Sequence, residues 1–284
     1  MRYNKQVIII RGGGDLATGV VQKFFRSGFK VLILETQTPT AIRRGAALCE
    51  AVYDGTAGVE DIISRKIKSI DECEGCWQED VVPLLIDPSG EVIKKLKPDA
   101  VIDAIIAKRN LGTTIDMADI TIALGPGFEA GADVHAVIET KRGNDLGRLI
   151  FVGRAIPDTG VPGEIAGESS RRVIHAPVAG IIKHIKQIGS IVEQGEAIFR
   201  IDDIKPGGRG AKSVKVQAPL NGLLRGLLRE GLQVHKGMKV ADIDPRIDID
   251  WRAISDKARC LGGAALEAYL FLKYNKQGAR YIVK

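Results

Sequence analysis

The chain has 284 residues, 45% of them apolar and only 5% aromatic, with 41 basic and 35 acidic side chains for a net charge of +6. That length suits about two domains with cores of their own, and so few aromatics argue against a stacking platform for single-stranded nucleic acid. There is no lysine-rich arm, no signal-peptide core and no run near the ~18–20 apolar residues of a membrane span, and four cysteines are too few for a disulfide framework, so a cytoplasmic protein with neither nucleic-acid nor membrane partners is expected.

Residues 7–10, Val-Ile-Ile-Ile, read as a buried strand that stops at Arg11 and enters a glycine turn. Gly12, Gly14 and Ala17 fit the dinucleotide-binding spacing G-x-G-x-x-G/A. The first glycine permits a sharp turn, the second lets a phosphate reach the backbone, and the small third residue lets helix pack on strand. Residues 20–27 then carry Val20, Val21, Phe24 and Phe25 on one helical face, with Gly28 as the stop. The N-terminus of that helix offers N–H groups and a positive dipole end to an anion. Gly12, Gly13, Gly14, Asp15, Leu16 and Ala17 are therefore the first candidate site. A second strand over 30–34 ends in Glu35, 23 residues after Gly12 and near the spacing of an acid that holds a ribose hydroxyl. Residues 41–45 read as a short helix, where Arg43 and Arg44 form a solvated face or reach a phosphate.

Cys73 and Cys76 have the spacing of a redox pair or half a zinc site, but no second ligand pair lies nearby, and incidental loop cysteines are the simpler reading. Strands are expected over 80–87 and 100–107, with a short helix over 91–96 between them; this alternation suggests a mostly parallel sheet. Lys108 and Arg109 follow the strand at its carboxyl end, where open α/β sheets place ligands, and they join the candidate site. Strands over 119–124 and 134–139 flank a glycine-rich turn. Asp133 and His135 there could do acid–base work, although a buried neutral histidine is the commoner outcome. No residue is assigned a catalytic role, and no metal ligand is assigned.

Residues 153–168 hold two prolines and four glycines and mark a domain boundary or an ordered loop. Beyond them the chain repeats itself without a gap at an offset of 42, residues 174–202 against 216–244, with the shared pattern A-P-x-x-G-x8-G-x2-V-x2-G. Two half-domains of short strands closing on each other follow from this. The repeat resembles the biotinyl/lipoyl barrel-sandwich hybrid, and Lys205 falls at the place of the modified lysine. Asp202-Asp203-Ile204 and a longer hairpin depart from that pattern, so a scaffold or docking surface is expected rather than a carrier. A C-terminal helix begins after Ser255 as N-cap; its Gly262-Gly263 pair costs ~2 kcal/mol of propensity, which close packing on the sheet would offset.

Taken together, RGGGDLATG (11–19), ETQTPTAIRR (35–44), GPGFEAGADVHAVIET (125–140), GNDLGRLIFVG (143–153), DTGVPGEIAG (158–167), the two A-P-x-x-G halves, DIDPR (242–246) and ISDKAR (254–259) resemble the selenium-dependent molybdenum hydroxylase system proteins. The expected fold is α/β: a Rossmann-like, mostly parallel sheet domain over 1–168, a β barrel-sandwich hybrid over 169–246, and a helical segment over 247–284 packing on the first domain. The resemblance implies an accessory protein that takes part in maturing such a hydroxylase. It would bind molybdenum cofactor, a pterin phosphate or dinucleotide, and hand it to the apo-enzyme. An NAD(P)-dependent oxidoreductase is the alternative, and sulfur or selenium transfer through Cys73 and Cys76 a third reading. A small phosphate-bearing ligand is the partner common to the first two, and self-association is left open.

Overall fold

The apolar run of β1 (Val7–Arg11) forms the middle strand of a nine-stranded sheet, where Ile8, Ile9 and Ile10 are fully buried. The structure, a computed structural model, describes residues 5–158, 160, 163–203 and 213–275. The chain divides into two units. The first comprises Met1–Pro39, Ala46–Thr159 and Ala253–Lys284, and the second Thr40–Gly45 and Gly160–Arg252.

In the first unit β1 is followed by α1 (Asp15–Arg26), β2 (Lys30–Glu35), α2 (Ala51–Asp54), β3 (Thr56–Val59), β4 (Ile62–Ile67), α3 (Cys73–Gln78), β5 (Val82–Ile86) and α4 (Glu91–Leu96). Then come β6 (Ala100–Asp103), β7 (Thr121–Leu124), β8 (Glu129–Ala130), β9 (Ala136–Ile138), β10 (Leu149–Ile150), β11 (Gly153–Arg154) and, at the far end of the chain, α5 (Asp256–Tyr274). The sheet order is β10-β9-β7-β6-β1-β2-β5-β4-β3. Its seven inner strands run parallel, while β3 and β10 are antiparallel edges. Strand alternation sends Ile8, Ile10, Val31 and Ile33 to one face, under α1 and α5, and Ile9, Leu32 and Val101 to the other, with Cys73, Cys76 and Ile93 of α3 and α4. Each isoleucine of β1 contributes about 1.5–3 kcal/mol by leaving water.

The second unit holds β12 (Val173–His175), β13 (Gly180–His184), β14 (Ile191–Val192), β15 (Ala197–Asp202), β16 (Ser213–Gln217), β17 (Gly222–Leu227), β18 (Gln233–Val234) and β19 (Lys239–Asp244). They form two antiparallel sheets, β12-β19-β17-β14 and β16-β15-β13-β18. The offset of 42 carries β12, β13, β14 and β15 onto β16, β17, β18 and β19, so each sheet holds two strands from each half of the repeat. Residues 41–45 are not the expected helix. They run beside β17, where the Leu227 amide donates to the Ile42 carbonyl at 2.8 Å and Arg44 Nε to the Leu227 carbonyl at 2.8 Å.

Two fold expectations need correction. The first unit is a mixed α/β sheet rather than a Rossmann-like double winding: both edges are antiparallel, and the β6–β7 crossover carries a 3-10 turn, Ile115–Met117, in place of a helix. Two four-stranded antiparallel sheets do not indicate a biotinyl/lipoyl barrel-sandwich hybrid either, and Lys205, which falls at the place of the modified lysine, lies outside the described residues.

Candidate functional site

Strands β2 and β6 flank β1 on opposite sides, so the chain leaves β1 at a switch point where open sheets form a crevice at their carboxyl edge. Arg11 closes the strand and is 2% exposed. Its guanidinium donates to Thr113 Oγ1 and, at 2.8 Å, to the Pro88 carbonyl, and lies 3.9 Å from Asp103 at the end of β6. Asp103 accepts from Thr113 Oγ1 at 2.6 Å and from the Ile105 amide at 3.1 Å. Burial raises its pKa despite those donors and the Arg11 charge. Arg11 is therefore a buried strut of the crevice and does not face a ligand.

The glycine turn lies directly above this pair. Gly12 has φ +94°, and a Cβ there would stand 3.1 Å from the Ile105 backbone, so the turn and the β6 loop are in contact. Gly13 is enclosed from the other side, its carbonyl accepting from the Cys49 amide at 2.8 Å. Gly14 differs from both: it is the N-cap of α1 in extended conformation, no side chain caps the helix, and nothing lies within 4 Å of where its Cβ would be. Gly14, Asp15 and Leu16 are partly exposed, while Ala17 is fully buried as the contact of helix on strand. Inside the first turn Thr18 is buried, its hydroxyl donating to the Gly14 carbonyl and accepting from the Leu48 amide.

Glu35 stands at the end of β2 but turns inward. Its Oε1 accepts from the Gly13 amide at 2.9 Å and its Oε2 from the Thr36 amide at 2.6 Å. Burial raises its pKa, and these amides only partly reverse that. Residues 46–52 cover it: Ala46, Ala47, Leu48 and Cys49 are each at most 1% exposed. A ribose beside β2 thus finds the acid engaged and the space filled. Sequence reading missed this segment, although its apolar run Ala46-Ala47-Leu48-Cys49 is the signal that could have found it.

Lys108 and Arg109 are exposed on the loop after β6, at the same edge of the sheet as the glycine turn. Lys108 adopts φ +62° and pairs with Asp158 at 2.6 Å. Ile106 also has positive φ, a conformation that concentrates at functional loops. The other candidates lie apart. His135 precedes β9 at the opposite edge, where its Nδ1 accepts from the Thr121 amide at 3.0 Å and burial lowers its pKa. Asp133 accepts from the Glu129 amide at 2.8 Å within its turn. Cys73 and Cys76 are buried under the sheet, and burial pushes the Cys73 thiol up to about 12, so the pair neither adjoins the glycine turn nor offers a thiolate. Among the described residues no three His, Cys, Asp or Glu side chains are grouped to hold a metal ion, and none of their helices is long and apolar enough to cross a membrane.

A comparison with models of known protein families gives no match. Among curated proteins, one from Escherichia coli named "Uncharacterized protein YqeB" is 46% identical over 270 residues, covering 95% of this chain and 48% of the relative. The chain thus spans about half the length of the curated relative it matches. Among solved structures, it aligns with the ectoine utilization protein EutE (DoeB) from Ruegeria pomeroyi, at 11% identity and a TM-score of 0.25 over 78% of this chain and 61% of that one. It aligns likewise with a succinylglutamate desuccinylase from a Silicibacter species, at 12% identity and a TM-score of 0.27 over 85% of each chain. A succinylglutamate desuccinylase/aspartoacylase from Rhodobacter sphaeroides matches at 12% identity and a TM-score of 0.28, over 85% of this chain and 86% of that one. Alignments at such scores fix neither fold nor activity.

These findings correct the functional reading of the motifs. No comparison supports the selenium-dependent molybdenum hydroxylase system: no family model matches, and the curated relative is named only as an uncharacterized protein. The maturation role, the molybdenum cofactor, and NAD(P) with its oxidoreductase activity are set aside. The geometry gives a physical reason for the dinucleotides, since the acid that should hold a ribose is sealed against the Gly13 and Thr36 amides.

Proposed function

We propose that the first unit binds the phosphate of a small phosphomonoester at the turn of Gly12, Gly13, Gly14, Asp15, Leu16 and Ala17, with Lys108 and Arg109 of the adjoining loop as the cations that meet it. The observation that best supports this is Gly14, which begins an uncapped helix at the switch point and leaves open space where any other residue would place a side chain. Glu35 and Asp103 add negative charge below the turn, but each accepts hydrogen bonds from two donors, and Arg11 offsets Asp103. With Glu35 engaged, the ligand is one without a ribose gripped at β2. The role proposed is binding.

Calorimetry with inorganic phosphate and glycerol phosphate tests this against a Gly14→Asp variant. The extended backbone and open surroundings of Gly14 accept the new side chain, so the variant should keep its melting temperature while a carboxylate repels the phosphate. Saturable binding by the wild type that the folded variant loses is the expected result. Absence of wild-type binding, or equal binding by both, rejects the proposal.

A further inference from the structure

The duplication in the second unit supplies an internal comparison. Lys183 on β13 lies directly opposite Arg200 on β15, and Arg200 directly opposite Lys215 on β16. Three cations therefore line up across three adjacent strands on one face of the sheet, with Arg200 and Lys215 exposed and Lys183 partly so. Like charges placed directly opposite destabilise a sheet. The offset of 42 carries Lys183 onto Arg225 and Arg200 onto Asp242; there a register shift sets Gly226 opposite Asp242, and the charges are opposite, Arg225 Nε donating to Asp242 Oδ2 at 2.9 Å. One half of the duplicated fold thus holds the balanced arrangement that the other lacks. Among the described residues Asp202 pairs with Arg200 Nε at 3.1 Å and also accepts from Ser213. Lys183 and Lys215 have no side-chain partner among the described residues. A row kept against its own repulsion, where the fold has a neutral alternative, is the kind of broken local rule that marks a functional surface.

The geometry points to an acidic helix of a partner protein as the occupant of this face. Neighbouring strands are about 4.8 Å apart, so the row spans about 10 Å. Successive turns of a helix rise about 5.4 Å, so three acidic side chains along one helical face span about 11 Å and can meet the three cations one for one. An extended strand would space its same-face side chains about 6.8 Å apart and overrun the row.

The probe is an alanine-rich peptide of about 20 residues with a glutamate stripe on one face; an isomer with the glutamates dispersed and a short DNA duplex are its controls. Fluorescence anisotropy at about 50 mM and about 300 mM salt measures binding to the full chain and to Arg200→Asp, which copies the second half of the repeat. The stripe peptide should bind wild type at low salt, weaken as salt rises, and lose at least about tenfold in affinity to Arg200→Asp. The same variant should melt at an unchanged or slightly higher temperature, because it relieves the like-charge row. If Arg200→Asp does not fold, the double variant Lys183→Gln with Lys215→Gln takes its place under the same criteria. Undiminished binding by the variant, no binding by wild type, or equal or tighter binding of the dispersed peptide or the DNA overturns the proposal.

Discussion

Gly19 and Gly262 meet backbone to backbone where α1 crosses α5: a Cβ on Gly262 would lie 2.2 Å from the Gly19 carbonyl oxygen. Gly19 is equally confined, its own Cβ falling 2.2 Å from the Ala258 carbonyl oxygen. Gly262, the first of the glycine pair that weakens α5, is thus explained by close approach to a helix, not to the sheet as the sequence suggested. Gly263, one residue on, has nothing within 4 Å of its Cβ position.

The two neighbours should therefore respond oppositely to alanine. Gly262→Ala forces the helices apart, an overpacking cost of about 1–3 kcal/mol only partly offset by the better propensity. Gly263→Ala gains that propensity without a clash and should stabilise by about 0.5–1 kcal/mol. Urea unfolding of both variants decides the matter, and equal effects of the same sign would refute the helix-crossing account.

Glu35 gives a second test, of the turn itself. A glutamine at this position keeps one carbonyl oxygen for two inward-pointing amides, so Glu35→Gln should cost about 1–3 kcal/mol. The pH dependence has a definite sign. Burial raises the carboxyl above its unfolded value, so the folded state holds its proton more tightly than the unfolded chain does. The contribution is therefore full below the unfolded pKa, about pH 4, and is lost as pH rises through the folded value. Denaturant midpoints across mild acid should show this decline in wild type and a flatter profile in Glu35→Gln; identical slopes would mean that Glu35 is not buried as described.

Strand, glycine turn and helix were legible over residues 7–26 because the constraint is local: an apolar run, a glycine that must take φ +94° and an amphipathic face lie consecutively. The duplication was legible for a similar reason, since turn glycines recur at one fixed offset. The inward turn of Glu35 was not, because it depends on residues 46–52 folding back over it. Nor was the tie between Arg11, Thr113 and Asp103, whose partners stand 102 and 10 residues apart along the chain. Spacing placed an acid at the end of β2, but only the tertiary fold decides whether it faces a ligand or the backbone.

Thiol chemistry should separate the four cysteines. Cys73 is pushed up to about 12 by burial and by the neighbouring Cys76 and acids. Cys49 is raised well above its ordinary range by burial and by the Glu35, Glu50 and Asp15 charges, and Cys76 is raised as well. Cys260 alone is exposed. A disulfide reagent near pH 8 should label one thiol rapidly in the native protein and all four after denaturation. Rapid labelling of Cys73 or Cys76 in the native state would reopen a redox role for that pair.

The second unit should be vulnerable at Asp242 and in acid. Asp242 accepts from Arg225 and, at 3.1 Å, from Arg172, whose own Nη2 and Nε reach the Gly163 and Glu168 carbonyls. Asp242→Asn leaves two arginines short of a charge in a place where Arg172 is 4% exposed, and breaking such a buried pair costs about 3–5 kcal/mol. Asp244 beside it accepts from Arg225 at 2.8 Å and from Arg246 at 2.9 and 2.8 Å. Burial by itself would raise the Asp244 carboxyl, but the Arg246 hydrogen bonds and the Arg225 and Arg246 charges outweigh it and hold the carboxyl below its usual range. A depressed carboxylate stabilises the fold fully above its unfolded pKa, and that contribution disappears as pH falls through the folded value. Wild-type stability should therefore drop below about pH 4, and Asp244→Asn should be less stable at neutrality and less sensitive to acid. Chemical denaturation of both variants at neutral and acid pH provides the check. An Asp242→Asn protein as stable as wild type would show that the arginines find other partners and that the network does not hold the unit together.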